Sequence, residues 1–310
     1  MPNGSPQYVR RDGLRLMRAV QFLRAEMGLK AGATIDLTLR SRDGARQRAL
    51  QVPVADRLPV YGIWPREERR PALPEGIAYL RLATMSDDVA IPDLTGSRGL
   101  IIDVRDNGGG RRDALRTLAP RLMRPTDPPR VVNAAVARNH PDHNAQRMDS
   151  RFLYRETWDG WSAAEREAIA SFKKTFRPAW PVPANGYGPW HYTIISPGKA
   201  SIDKPIVVLM NGKCFSATDV FLSGLKGMPN VTLLGTPSAG GSANVNTVQL
   251  GNTPLRMRLG TIVSFQASGK LFDGVGVEPD VLVEPEPDFF IGGRDNQLEA
   301  AVTFLTDRPV

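Results

Sequence analysis

Two apolar runs, Gly99-Leu-Ile-Ile-Asp-Val104 and Pro205-Ile-Val-Val-Leu-Met210, constrain this chain most. Each has the length of a strand, and each gives way to a polar turn and then to a helical pattern. A strand apolar along its whole length is buried on both faces, and helices supply the cover. The alternation of such strands with helical stripes predicts an α/β fold.

The first run is preceded by an alternating strand, Ile77–Leu82, and followed by a helical stripe of Ala114, Leu115, Leu118 and Leu122. Val131–Val136 is a further strand. The second run leads into a helix from Ser216 to Leu225, a strand Val231–Leu234, short strands up to Val283 and a terminal helix Asn296–Leu305. Residues 139–200 interrupt this rhythm with His, Asn, Pro and the aromatics Trp158, Trp161, Trp180, Trp190 and Tyr192, and read as an insertion. Within it, Ser162-Ala-Ala-Glu165 is a capping box that starts a helix through Phe172, and Pro178, Pro181 and Pro183 forbid its continuation.

Three regions result. Residues 1–57 hold one helical stripe (Leu16, Val20, Leu23, Met27) ending near Gly28, and a hairpin turning at Asp43-Gly44. That unit is too thin for an independent core. Residues 58–74, with four prolines and the mixed-charge run Arg66-Glu-Glu-Arg-Arg-Pro71, form a linker, and residues 75–310 form the main domain.

A net charge of +8 invites a nucleic-acid reading. The basic residues are scattered from Arg10 to Arg308 among acids, and no nucleic-acid motif accompanies them, so that class is set aside. No apolar run is long enough for a membrane span. The first residues lack the basic start and apolar stretch of a secretory signal, and no compartment is assigned. The single cysteine, Cys214, excludes an internal disulfide and reads as a packing residue. His140-Pro-Asp-His143 lacks a third strong ligand and reads as a solvated loop, so neither metal nor cofactor is expected.

Chemistry is offered at two turns. Asp103-Val-Arg-Asp-Asn-Gly-Gly-Gly110 ends a buried strand in three glycines, which either form a tight turn or expose backbone N–H groups to an anion or a developing oxyanion. It lacks the Lys-Ser/Thr of a phosphate loop and the spaced glycines of a dinucleotide site. Asn211-Gly-Lys-Cys-Phe-Ser-Ala-Thr-Asp219 puts Ser216 at a strand-to-helix junction, a good seat for a nucleophile. Ser216-Ala-Thr-Asp219 is equally a capping box, the ordinary reading from spacing alone because caps far outnumber nucleophiles.

Five segments taken in order change that balance: Ile77-Ala-Tyr-Leu-Arg-Leu82, Gly99 through Gly110, Phe215-Ser-Ala-Thr-Asp219, Leu234-Gly-Thr-Pro-Ser-Ala-Gly-Gly241 and Gly274-Val-Gly-Val-Glu-Pro-Asp280. Together they resemble the C-terminal-processing (tail-specific) serine peptidases, the tricorn protease core and retinoid-binding relatives. The resemblance implies a ClpP/crotonase-like core of repeated ββα units, with residues 10–55 as the C-terminal half of a PDZ-like module whose beginning is missing. It implies a peptidase acting on peptides or unfolded polypeptides, with Ser216 as nucleophile and oxyanion donors at Ala217 and at Gly109 or Gly108. The lysine base of many bacterial members is replaced by Gly241. The tricorn-like branch uses an upstream histidine steadied by an acid, and Asp273 stands at the acid's position, where it is also an ordinary turn aspartate. No residue here matches that histidine, so the expectation is an N-terminally truncated or inactive form, with His191 a weak substitute base. The competing expectation is a catalytically silent module binding peptide or apolar ligand; a crotonase-type acyl-CoA enzyme is more distant, since it needs no serine at 216.

Overall fold

The computed structural model describes residues 5–41, 43–54, 73–86, 89–139, 148–253, 255–290 and 293–307. The chain opens with a helix Pro6–Leu16, a 3-10 turn Met17–Ala19 and a helix Val20–Glu26. An antiparallel hairpin follows, β1 (Thr34–Arg40) with β2 (Gln47–Pro53). Val20 and Leu23 are half-buried and Met27 is exposed, so nothing among the described residues fully covers the amphipathic stripe. Most of the expected linker, and His140 and His143, lie outside the described residues.

The main domain contains β3 (Ile77–Arg81), β4 (Gly99–Asp103), the short helices Asp113–Thr117 and Ala119–Leu122, and β5 (Arg130–Arg138). Next come β6 (Tyr154–Arg155), the helix Ala163–Thr175, β7 (Tyr187–Ile195), β8 (Ile206–Met210), the helix Ala217–Leu225 and β9 (Val231–Gly235). It closes with β10 (Val245–Gln249), β11 (Arg256–Gly260), β12 (Ile262–Gln266), β13 (Val281–Leu282) and helices Pro287–Phe290 and Asn296–Thr306.

Five strands form a parallel sheet in the order β13-β9-β8-β4-β3. The two apolar runs lie at its centre as neighbours, and their side chains divide by strand alternation. Leu100, Ile102, Ile206, Val208 and Met210 face the cluster under the helices at 113–122 and 217–225. Ile101, Val207 and Leu209 face the terminal helix through Leu298, Ala301 and Leu305. Continuous apolar sequence is thus the signature of a strand covered twice, and each buried side chain of this size contributes about 1.5–3 kcal/mol.

A second sheet, antiparallel in the order β12-β5-β7-β6, packs on the helix Ala217–Leu225 through β5, where Val132 meets Gly224. The stretch read as an insertion supplies β6, β7 and the helix Ala163–Thr175, whose Ser162/Glu165 capping box is formed. It is interleaved with the sheet because β7 pairs along β5, from Arg130↔Ile195 to Arg138↔Tyr187.

At the end of β4, Asp103 and Arg105 are buried and joined at 2.7 Å, and the same guanidinium reaches Asp295 at 2.8 Å. Asp295 caps the terminal helix through the Leu298 N–H at 3.0 Å, so one side chain ties the central strand to that helix. Replacing Arg105 by alanine leaves Asp103 buried with the half-exposed Arg81 and the Tyr79 hydroxyl and should cost about 3–5 kcal/mol, the range for breaking a buried pair from one side. A urea midpoint unchanged in Arg105→Ala would contradict this role.

Candidate active site

Because β4 and β8 are parallel neighbours in register (Asp103↔Leu209), the turns after them emerge side by side at one sheet edge. They are stitched together. Asn211 accepts from the Asp106 N–H at 3.0 Å and donates Nδ2 to Asp106 Oδ1 at 3.0 Å, and the Phe215 N–H donates to the Asn107 carbonyl at 3.1 Å.

Ser216 sits where the second turn becomes helix, with φ 62° and ψ −117°. That is a sparsely populated conformation for a residue with a Cβ, worth about 1–3 kcal/mol of strain. Its side chain makes no cap bond, so the capping-box alternative fails. Asp219, the would-be partner, still accepts from the Ser216 backbone N–H and also anchors the loop after β9. It accepts from the Ser238 hydroxyl, from the Gly240 N–H at 3.2 Å and from the Gly241 N–H at 3.1 Å. Burial is the main influence on this carboxyl and pushes its pKa up to about 7, against those donors.

The glycine turn closes on the serine. A Cβ placed on Gly109, where φ is +101°, would lie 2.8 Å from Ser216 Cβ and 3.0 Å from the Ala217 nitrogen. Only glycine permits both the backbone angle and the approach. The Gly109 N–H itself donates to Asn107 Oδ1 at 2.9 Å. The N–H of the exposed Gly108 has no acceptor among the described residues, and neither does that of Ala217, the first residue of its helix. Asn107 Oδ1 also accepts from Thr218 at 2.8 Å, and Asn107 Nδ2 donates to the Leu82 carbonyl at 2.9 Å, so one buried amide holds both turns and β3.

A side chain at position 241 would collide with the ring of Phe215, 2.1 Å from a Cβ there. The space that a lysine at 241 would enter is filled by this ring, against which Tyr8 packs at 5.8 Å between centroids. Asp273 accepts from the N–H groups of Ser242 at 2.9 Å and Ala243 at 3.1 Å, three or fewer residues after Gly240. Burial raises its pKa, opposed by those N–H groups and by Arg151.

Cys214 is buried, donates to the Val104 carbonyl at 3.1 Å, and burial pushes its thiol up to about 12, which fits packing. His191 lies in β7, opposite Ala135, with Nδ1 at 2.9 Å from the Pro189 carbonyl, and burial lowers its pKa. The described structure shows no contact between it and Ser216.

The model of peptidase family S41 matches residues 76–283. The chain belongs to that family. It is 33% identical over 96 residues to a carboxy-terminal-processing protease of Bartonella bacilliformis, covering 31% of this chain and 22% of that one. It is 32% identical over 113 residues to the tricorn protease of Thermoplasma volcanium, covering 34% and 10%. The chain therefore spans about a fifth or less of these relatives' length. A crystal structure of a putative peptidase from Parabacteroides merdae shares the fold at a TM-score of 0.52 and 20% identity, over 76% of this chain and 62% of that one. Among the described residues no helix is long and apolar enough to cross a membrane.

Sequence reasoning missed three contributors to this S41 site: Asn107, Asp219 as a loop anchor, and the N-terminal Ser5, Gln7 and Tyr8. Ser5 Oγ donates to the Ala239 carbonyl, and Gln7 Nε2 donates to the carbonyls of Ser238 at 2.7 Å and Val275 at 2.8 Å. The spacing of Asn107 before the glycines was a usable signal; contacts across more than 200 residues were not.

Asp219 also gives a pH dependence. Its folded pKa of about 7 lies above the ordinary 3.8, so the folded state holds a proton that the unfolded chain releases. Its contribution to stability is full below about pH 4 and is lost as pH rises through 7. Denaturant midpoints of the wild type should fall from pH 4 to 8 more steeply than those of Asp219→Asn; equal slopes would remove the effect. Separately, Gly109→Ala should press on Ser216 and the Ala217 N–H and lower reactivity of the serine at least tenfold, measured by probe labelling of folded protein.

Proposed function

We propose that this chain is the catalytic domain of a serine peptidase that cleaves peptides or unfolded polypeptides through an acyl-enzyme on Ser216. The observation that carries this reading is the strained, uncapped Ser216 at the parallel sheet's edge, with the N–H of Ala217 beside it and the glycine turn against it. A strained residue persists only when its surroundings over-determine it, and such residues gather at active sites.

In this reading Ser216 Oγ adds to the scissile carbonyl and gives up its proton to a base. The N–H groups of Ala217 and Gly108 then take the oxyanion. Gly108 is preferred to Gly109 because the Gly109 N–H is held by Asn107, which makes Gly109 the residue that allows close approach. Collapse of the tetrahedral intermediate expels the amine, which takes that proton back from the base, and leaves the ester on Ser216, which water hydrolyses. Asp273 fixes the loop of Ser242 and Ala243 and stands ready to orient a base. The finer architecture proposed is a ClpP/crotonase-like core, with the helix and hairpin of residues 6–53 as part of a PDZ-like module.

One observation favours a second reading: Phe215 occupies the space over Gly241, and the one described histidine, His191, is committed within β7. Without a base the same cleft is a peptide- or apolar-ligand-binding module. A fluorophosphonate probe separates the two. Labelling that disappears in Ser216→Ala supports the peptidase; a folded chain that does not label, alone or extended upstream, supports the binding module.

A further inference from the structure

Beside the glycine turn lies a buried polar layer that the chemistry at Ser216 does not use. The inner face of the second sheet carries Asn133, Thr193 and Ser264, all buried, with Asn133 opposite Thr193 and its Nδ2 donating to Ser264 at 2.8 Å. Two arginines complete this layer. Arg112 is 2% exposed and donates Nη1 to Thr193 Oγ1 at 2.9 Å, while its Nε and Nη2 have no partner among the described residues. Arg151 donates Nη1 to Asn244 Oδ1 at 3.1 Å, and its Nε has none among the described residues.

The open nitrogens of Arg112 are informative as a pair. Nε and Nη2 form one lateral edge of the guanidinium, the edge that takes the two oxygens of a carboxylate in parallel hydrogen bonds. Charge points the same way. Burial lowers the pKa of Arg112, and the charge of Arg151 adds to the effect. Asp273 is the acid that acts on Arg151, and its carboxylate already receives the Ser242 and Ala243 N–H groups. Among the described residues two cations then face one anion, which leaves a buried positive charge that an added anion would compensate.

The place is close to the nucleophile. Arg112 is three residues beyond Gly109, which touches Ser216, and Asn244 is three beyond Gly241, which touches Phe215. At about 3.3–3.6 Å per residue, each of these backbone anchors lies within about 11 Å of those contacts. We propose that Arg112 and Arg151 form a carboxylate-binding subsite beside the glycine turn, which holds a carboxylate of the substrate a few residues from the scissile bond. The inference rests on the peptidase reading. The carboxylate belongs either to the peptide's C-terminus or to an Asp or Glu side chain.

The test measures binding calorimetrically on the full chain carrying Ser216→Ala, so that cleavage does not intervene. Three acetylated alanine-rich hexapeptides serve as probes: the free acid, its C-terminal amide, and the amide with one internal glutamate. The expected result is at least tenfold tighter binding of one charged peptide than of the neutral amide, reduced to parity by Arg112→Gln or Arg151→Gln. Preference for the free acid assigns the terminal carboxylate, and preference for the glutamate peptide assigns the side chain. Equal affinity for all three, or no binding, overturns the subsite without recourse to any arginine variant. Arg112→Lys, which keeps charge but loses the bidentate edge, should lose most of the preference if it folds. Fluorophosphonate labelling of Ser216 in the parent chain reports separately on the peptidase reading, so a labelled protein indifferent to peptide charge loses the subsite alone.

Discussion

Parallel pairing of β4 with β8 underlies the rest of the site. Because the two strands run in the same direction and in register, the turns that follow them leave the sheet at the same edge and at the same height. Hydrogen bonds between Asn211 and Asp106, and between Phe215 and Asn107, then lock one turn to the other. An antiparallel pair would have sent the glycine turn and Ser216 to opposite ends of the sheet. The apolar side chains of both strands, divided between two buried clusters, hold that pairing in place.

Strain and buried polarity are concentrated where this scaffold ends. Ser216 is held at positive φ by a helix on one side and by the Asn107-tethered turn on the other. The Asp219 carboxylate, on the first turn of the same helix, gathers the N–H groups of the loop that carries Gly240 and Gly241. Three chain segments far apart in sequence thus share one small volume, and each is fixed by hydrogen bonds to another. Such a network rigidifies only when its members are satisfied. Among the described residues the open nitrogens of Arg112 and Arg151, with Asn133 Oδ1 and Ser242 Oγ, are exceptions to it.

The buried strands, the helices that cover them and the positions of Ser216 and the glycine turn were legible because each rests on local pattern. An apolar run with a turn and a stripe after it has few ways to fold. Which of Gly108 and Gly109 has its N–H tied up was not legible, since it depends on where the Asn107 side chain points. Nor was the place of residues 139–200. Its prolines and tryptophans break the pattern locally, yet Tyr187–Ile195 pairs along β5 through contacts that no local rule records. The alternative of a helix cap at Ser216 failed at the serine, whose backbone is held at positive φ and whose side chain makes no cap bond, while the Asp219 carboxylate serves the Ser216 N–H together with Ser238, Gly240 and Gly241.

Position 241 shows how a single residue shapes the whole cleft. Glycine there admits the Phe215 ring, and the ring in turn offers a face to Tyr8 of the first helix. Ser5 and Gln7 extend the same contact to the Ser238–Ala239 loop and to Val275. The N-terminal helix is therefore built onto the loops around Ser216. A lysine at 241 would have to displace Phe215 and, with it, the packing of Tyr8. Glycine at 241 and attachment of the N-terminal segment are consequently one structural arrangement, because the ring that glycine admits is the ring on which Tyr8 packs.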